Sequence, residues 1–273
     1  MPELPEVETI ARGLRRSLTG KRIQDVWLSG RPLRRPFARD FADRLRGRII
    51  RRVRRRGKYV LFEVDPEGLW LVHLGMSGRL CRVPQAEPPE KHTHAVIRFS
   101  DGSELHYRDP RRFGLMALYD VARPDLLPEL RAFGPDPLGR RFDAQRLWNR
   151  LRETRREIKA FLLDQRRIAG IGNIYACEAL FRAQVHPARR CDTLSRAEAR
   201  RLAAALRGVL REALAHRGTS LWDFVDSAGR PGDHGSYLRV YGREGERCRR
   251  CRAAIARMIQ GNRSSFFCPR CQR

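Results

Sequence analysis

Leu4, Val7, Ile10, Ala11, Leu14 and Leu18 recur at intervals of three and four, so the chain opens with a helix that has one apolar face. Pro5 suits a first turn, Glu6 and Glu8 complement the positive end of the helix, and Arg15 and Arg16 complement the negative end. Gly20 closes it. From 21 to 120 the pattern shortens. "KRIQDVWL", "GRIIRRVRRRGKYVLFEV", "GLWLVHLGMSGRL", "HAVIRFS", "ELHYRD" and "FGLMALYD" are β-branched and aromatic, with Gly, Pro or Asp between them. They predict antiparallel strands of a sandwich or barrel-like domain, and "VPQAEPPEKHTH" predicts a loop. From about 125 helical spacing returns in "AQRLWNRLRETRREIKAFLLDQ", "NIYACEALFRA" and "SRAEARRLAAALRGVLREALAHRG". Pro124, Pro128, Pro135 and Pro137 mark a linker between the two parts. "TSLWDFVDSAGRPGDHGSY" reads as a mobile Gly/Asp/Ser stretch, and no internal repeat is visible.

The 273 residues suit two domains, and 41% hydrophobic content suffices for an ordinary core. No apolar run approaches the roughly 18–20 residues of a membrane span, and no apolar segment follows basic residues at the start, so a cytoplasmic protein is expected. Charge changes the picture most. Lys and Arg number 57 against 31 Asp and Glu, a net +26. A GC-rich genome raises arginine content but does not by itself leave the acids so far behind. The balance points to a polyanion, nucleic acid first.

Candidate chemistry begins with the cysteines. Cys248-x-x-Cys251 and Cys268-x-x-Cys271, 16 residues apart, have the spacing of one four-thiolate zinc site, closed and therefore structural. The apolar stretches around Gly261-Asn262 predict a hairpin clipped by that zinc, with Arg263 at its tip. Cys81, Cys177 and Cys191 are scattered and suggest no task. Pro2, once Met1 is removed, carries a secondary amine; α-amino groups titrate at about 7.7–8.0, so it is a possible nucleophile toward a carbonyl-like carbon. Glu3 offers a carboxyl for proton transfer. Proline after methionine is nonetheless common, and alone favours the plain reading. In "AGIGNIYACEALF", Asn173 reads as an N-cap behind a Gly turn that suits either a phosphate or close helix packing. Lys58 starts a strand after a basic run, of which Arg54 to Arg56 are expected to be solvated. His73 and Met76 flank a Gly turn. Arg111 and Phe113 lie on a Pro/Gly-bounded loop where an exposed Phe could wedge between bases.

"PELPEVET", "RRGKYV", "HLGMSG", "DPRRFG", "AGIGNIYACEALF", "VYGREGE" and the CxxC-16-CxxC tail, in this order across the whole chain, resemble the bacterial formamidopyrimidine-DNA glycosylases. The resemblance implies an α+β, two-domain fold: an N-terminal antiparallel β-sandwich with an N-terminal helix, then a helix-two-turn-helix domain and a four-cysteine zinc-finger hairpin, with DNA in the cleft between. The expected boundaries are 2–125 for the sandwich, 126–138 for the linker, 139–240 for the helical domain with a lesion-capping loop near 218–236, and 241–273 for the zinc finger. It further implies excision of oxidised purines, 8-oxoguanine and formamidopyrimidines, through a Schiff base on the N-terminal proline, followed by β,δ-elimination. Pro2 would be the nucleophile and Glu3 the proton-transfer acid. Lys58, His73, Asn173, Tyr241 and Arg263 would be phosphate clamps, Lys58 and Arg263 counting with the catalytic set. Met76, Arg111 and Phe113 would fill the void and probe the orphaned cytosine. The partner is damaged duplex DNA, met by a monomer without membrane or small-molecule cofactor beyond one structural Zn²⁺. Two departures bear on base preference: "PGDHGSYLRVYGREGE" lacks the aromatic-Gln pair usual in the capping loop, and Cys177 stands where a small or acidic residue is usual. The alternatives are an endonuclease VIII-type enzyme for oxidised pyrimidines, against which "PELPEV" and "HLGMSG" argue, and a zinc-containing DNA-binding protein without activity.

Overall fold

The computed structural model describes residues 1–273 except Ala122 and Trp222. Its Cα atoms fall into two compact units, 1–131 with 216–235, and 132–215 with 236–273. Helix α1 (Leu4–Leu18) forms as expected, with Pro5 in its first turn; Glu3 and Glu6 make a reciprocal capping box.

The first unit then lays down β1 (Ile23–Leu28), a short α2 (Phe41–Leu45), β2 (Ile49–Arg56), β3 (Tyr59–Asp65), β4 (Gly68–His73), β5 (Arg79–Val83), β6 (Thr93–Phe99), β7 (Glu104–Arg108) and β8 (Leu115–Tyr119). Two antiparallel four-stranded sheets result, ordered β1-β6-β7-β5 and β2-β3-β4-β8. Alternate residues turn inward: Phe62, Trp70, Val72, Ile97, Leu105 and Tyr107 join the apolar face of α1 in one core. In β2 the buried residues Ile50 and Val53 are three apart rather than two, and the pairing shifts register between Ile50 and Arg52. A bulge absorbs the extra residue and keeps both side chains inside. The run that follows departs from expectation. Arg54 is half-buried and the Arg55 side chain almost wholly buried, rather than solvated; they pair with Glu63 at 2.5 Å and with Glu8 at 3.0 Å.

Residues 216–235, which the pattern joins to the helical part, lie in the first unit. The Ser227 carbonyl accepts from the Arg82 amide at 2.8 Å, and the Asp226 carboxylate accepts from the Ala228 and Arg230 amides.

The second unit holds α3 (Ala144–Arg152), α4 (Ile158–Leu163), α5 (Asn173–Ala183), α6 (Arg196–Ala215) and the hairpin β9 (Ala256–Gln260)–β10 (Arg263–Phe267). The stretch that reads as one helical pattern from 144 to 165 is broken at 153–157, where Glu157 bridges to Arg190. No helix among the described residues is long and apolar enough to cross a membrane.

Candidate active site and zinc module

The register of the second sheet explains one constellation. Arg56 pairs with Tyr59, Tyr59 with His73, and His73 with Leu115, so these four residues form a row across one end. The connections leaving that end carry the predicted residues: the Gly57-Lys58 turn, the 74–78 turn with Met76, and the 109–114 loop with Arg111 and Phe113. Lys58 is 93% buried, with 7% of its surface exposed. His73 packs its ring on Tyr59, centroids 4.6 Å apart, and its Nδ1 accepts from the Gly75 amide at 3.0 Å. The other nitrogen, Nε2, therefore carries the proton of the neutral ring. Burial, helped by the nearby Arg34 and Lys58 cations, pushes the ring pKa from 6.5 to about 3. His73 is thus a neutral N–H donor at any physiological pH.

The two loops beyond the row are stitched together by Asp109, which is fully buried. Its carboxylate accepts from Ser77 Oγ at 2.7 Å, the Tyr107 hydroxyl at 3.2 Å and the Gly114 amide at 2.8 Å. A side chain at position 75 is excluded twice over: φ is +61°, and a Cβ would stand 2.5 Å from the Phe113 carbonyl carbon. That approach sets Met76 and Phe113 on adjoining loops. Both project outward, 44% and 46% exposed, where a core role would have hidden them. Arg111 lays its guanidinium over the Phe113 ring at 4.7 Å.

The chain start is also held. Pro2 and Glu3 are buried, and Glu6 grips two amides: Oε2 accepts from Glu3 at 2.8 Å and Oε1 from Thr219 at 2.8 Å. Glu6, which reads in sequence as helix punctuation, thereby fixes the backbone next to the candidate nucleophile and ties it to residue 219.

In the second unit Asn173 is the first residue of α5 rather than its N-cap, which is Gly172. Its Nδ2 donates to the Ser264 carbonyl at 2.9 Å, leaving Oδ1 buried without a partner. Lys159, absent from any sequence motif, donates to the same carbonyl at 3.0 Å and to Ser265 Oγ at 2.6 Å while only 1% exposed. Two donors thus anchor the hairpin strand that begins at Arg263. Glu178, equally unforeseen, accepts from the amides of Arg239, Val240 and Tyr241, each at 2.9 Å, and so holds the segment carrying Tyr241. Burial raises its pKa against the pull of those amides. The Tyr241 ring meets Phe266 edge-on at 5.1 Å. At the hairpin tip Gly261 and Asn262 both have positive φ, +50° and +61°, the signature of a type I′ turn. Arg263 is exposed beside it.

The four thiols of Cys248, Cys251, Cys268 and Cys271 lie within 4.8 Å of one another, with Cys248–Cys271 at 3.9 Å and Cys251–Cys268 at 3.4 Å. Sulfurs about 2.3 Å from a tetrahedral ion sit about 3.8 Å apart, so the set fits zinc with no open position. The amides of Arg250 and Cys271 point at Cys248 Sγ and Cys268 Sγ, both at 3.4 Å, and would steady the thiolates. Cys177 is buried in the apolar cluster that backs this site.

A sandwich, a helical unit and a four-cysteine hairpin, with a proline-headed helix leading the chain, define a zinc-finger DNA glycosylase. Three family models match in chain order: the formamidopyrimidine-DNA glycosylase N-terminal domain over 1–116, its H2TH domain over 133–224, and the zinc finger found in FPG and IleRS over 245–273. The formamidopyrimidine-DNA glycosylases of Thioalkalivibrio sulfidiphilus and Methylococcus capsulatus are 46% and 44% identical over the full length of both chains. Among solved structures, the FPG protein of Thermus thermophilus has a TM-score of 0.87 at 39% identity, covering 99% of this chain and 98% of that one. A Lactococcus lactis FPG bound to Fapy-dG DNA has a TM-score of 0.91 at 32% identity over all of both chains. The chain belongs to the formamidopyrimidine-DNA glycosylase family. It is a base-excision-repair DNA glycosylase with AP lyase activity, and its hairpin holds one structural zinc.

Proposed function

We propose that this enzyme excises oxidised purines from duplex DNA with Pro2 as nucleophile. With Met1 removed, the Pro2 secondary amine attacks C1′ of an extruded nucleotide. A C–N bond forms as the glycosidic bond breaks, and the base leaves with its electron pair and a proton. The sugar ring then opens: the C1′–O4′ bond breaks, O4′ takes a proton from Glu3, and the nitrogen lone pair closes on C1′ as an iminium. Loss of a C2′ proton then expels the 3′ phosphate, and a second elimination expels the 5′ phosphate. Glu3 is the proton-transfer group. Lys58, His73, Asn173, Tyr241 and Arg263 hold phosphates; Met76 fills the vacated stack, and Arg111 with Phe113 reads the orphaned cytosine.

The observation that carries this reading is the Glu6 clamp. It holds the amide next to buried Pro2 and, with its other oxygen, the Thr219 amide of the 216–235 segment, a second anchor that a plain helix cap does not need. The Lactococcus lactis relative has been solved with Fapy-dG DNA and with abasic-site DNA, consistent with both halves of the chemistry. It has also been solved with an oxidised pyrimidine in DNA, so a lesion panel must include that class. We take the working form to be a cytoplasmic monomer with no cofactor beyond zinc. The test is borohydride trapping during turnover. An adduct mapping to Pro2, lost on Pro2→Gly or on a one-residue extension, is expected; an adduct on Lys58 would overturn the assignment.

A further inference from the structure

The zinc module concentrates positive charge at the end away from its hairpin tip. Residues 241–273 contain nine arginines and two glutamates. Both glutamates are taken within the module, Glu246 by Arg243 at 2.8 Å and Glu244 by Arg257 at 3.4 Å. Arg247 and Arg252 flank the first cysteine knuckle, and Arg270 lies inside the second. All three are exposed, and none of their guanidiniums makes a hydrogen bond or ion pair among the described residues. Five paired residues separate the knuckles from Arg263 at the tip, about 16 Å at the rise of a strand. A phosphate gripped by Arg263 therefore leaves these three cations to find others. They stand exposed around a zinc-stiffened knuckle pair, spread over the first and second knuckles rather than converging on one point, which suits a row of phosphates better than a single small anion.

We propose that the cysteine-knuckle end of the zinc module is a second duplex-binding surface, which grips backbone phosphates outside the lesion-bearing stretch and keeps the enzyme on DNA while it searches. The inference rests on the reading above only in placing Arg263 at lesion DNA. Its own signature is separate, because the knuckle contacts matter on long DNA and not in the chemistry.

The experiment uses the full chain with Arg247, Arg252 and Arg270 all changed to Gln, zinc content checked by metal analysis, beside the matching triple Lys variant. On long undamaged duplex the plot of log affinity against log salt should flatten by up to about 2.7, three contacts at about 0.9 each. The Lys variant should keep the parent slope, since an ammonium also displaces a counterion. Single-turnover cutting of a short lesion duplex should stay within twofold of the parent. If the Gln triple loses zinc, Arg270→Gln alone should flatten the slope by about 0.9. An unchanged slope in a zinc-loaded Gln variant overturns the proposal. So does an equal loss on short lesion duplex, which would place these residues within the lesion site. Failure of Pro2 trapping would refute the nucleophile without touching this result.

Discussion

His73 gives the sharpest test of the electrostatics. Its folded-state pKa is about 3 against 6.5 in the unfolded chain. Between those values the unfolded state binds a proton that the folded state refuses, so stability rises with pH across the window and is complete above about 7. Going down from neutrality, the loss steepens toward about 1.4 kcal/mol per pH unit; at pH 5 it sums to about 2 kcal/mol. The ring keeps some solvent contact, so about 1–2 kcal/mol is the working range. His73→Asn is the useful variant, because an amide oxygen can take the place of Nδ1 and accept from the Gly75 amide. Denaturant unfolding at pH 7.5 and pH 5, followed by fluorescence, reports on the same strand through Trp70, which is fully buried and stacked on Phe62 at 4.2 Å. The parent should lose about 1–2 kcal/mol more than the variant between the two pH values. Protonation of carboxylates and zinc thiolates is common to both proteins and cancels. The same neutral ring predicts that His73→Asn weakens DNA binding without flattening its salt dependence, whereas Arg263→Ala flattens it by about 0.9. An equal acid loss in parent and variant, or a His73 proton signal titrating near 6.5, would refute the buried neutral histidine.

Cys251→Ser should abolish zinc binding and most DNA binding, since the hairpin that carries Arg263 loses its clip; metal analysis and a duplex titration check it, and retained binding by verified zinc-free protein would contradict the structural role. Arg111→Ala should lower activity on lesions opposite cytosine and narrow the preference over adenine by about 1–3 kcal/mol, read as the ratio of single-turnover rates on the two duplexes.

Much of the molecule was legible because its signals are local. Helix α1 announces itself through apolar spacing and a proline. The zinc site does so through two CxxC pairs, and the hairpin tip through Gly261-Asn262, whose positive φ angles the turn demands. What sequence missed acts at long range. Lys159 sits on a short helix and looks like any surface lysine until it meets the Ser264 carbonyl, 105 residues on. Glu6 serves its own helix end, which is visible, and Thr219, 213 residues away, which is not. Asn173 has the chemistry of a cap, but once Gly172 takes the capping position its amide is free to reach Ser264.

Arg54 and Arg55 show why a charge run misleads. A single inserted residue in β2 rephases the strand, and the arginines beyond it are presented to Glu63 and Glu8 instead of to water. Arg55 in particular ties the second turn of α1 to the end of β2, next to the turn that carries Lys58. The bulge thus links the two catalytic candidates that lie farthest apart along the N-terminal unit's sequence. Arg55 is itself 94% buried at its side chain against a Glu8 that is 85% buried. Glu8 also pairs with Arg12 at 2.9 Å, and Arg55 also donates to the Gly57 carbonyl at 3.0 Å, so the arginine ties helix α1 both to the end of β2 and to the turn before Lys58, and its loss would leave Glu8 with only its more exposed partner.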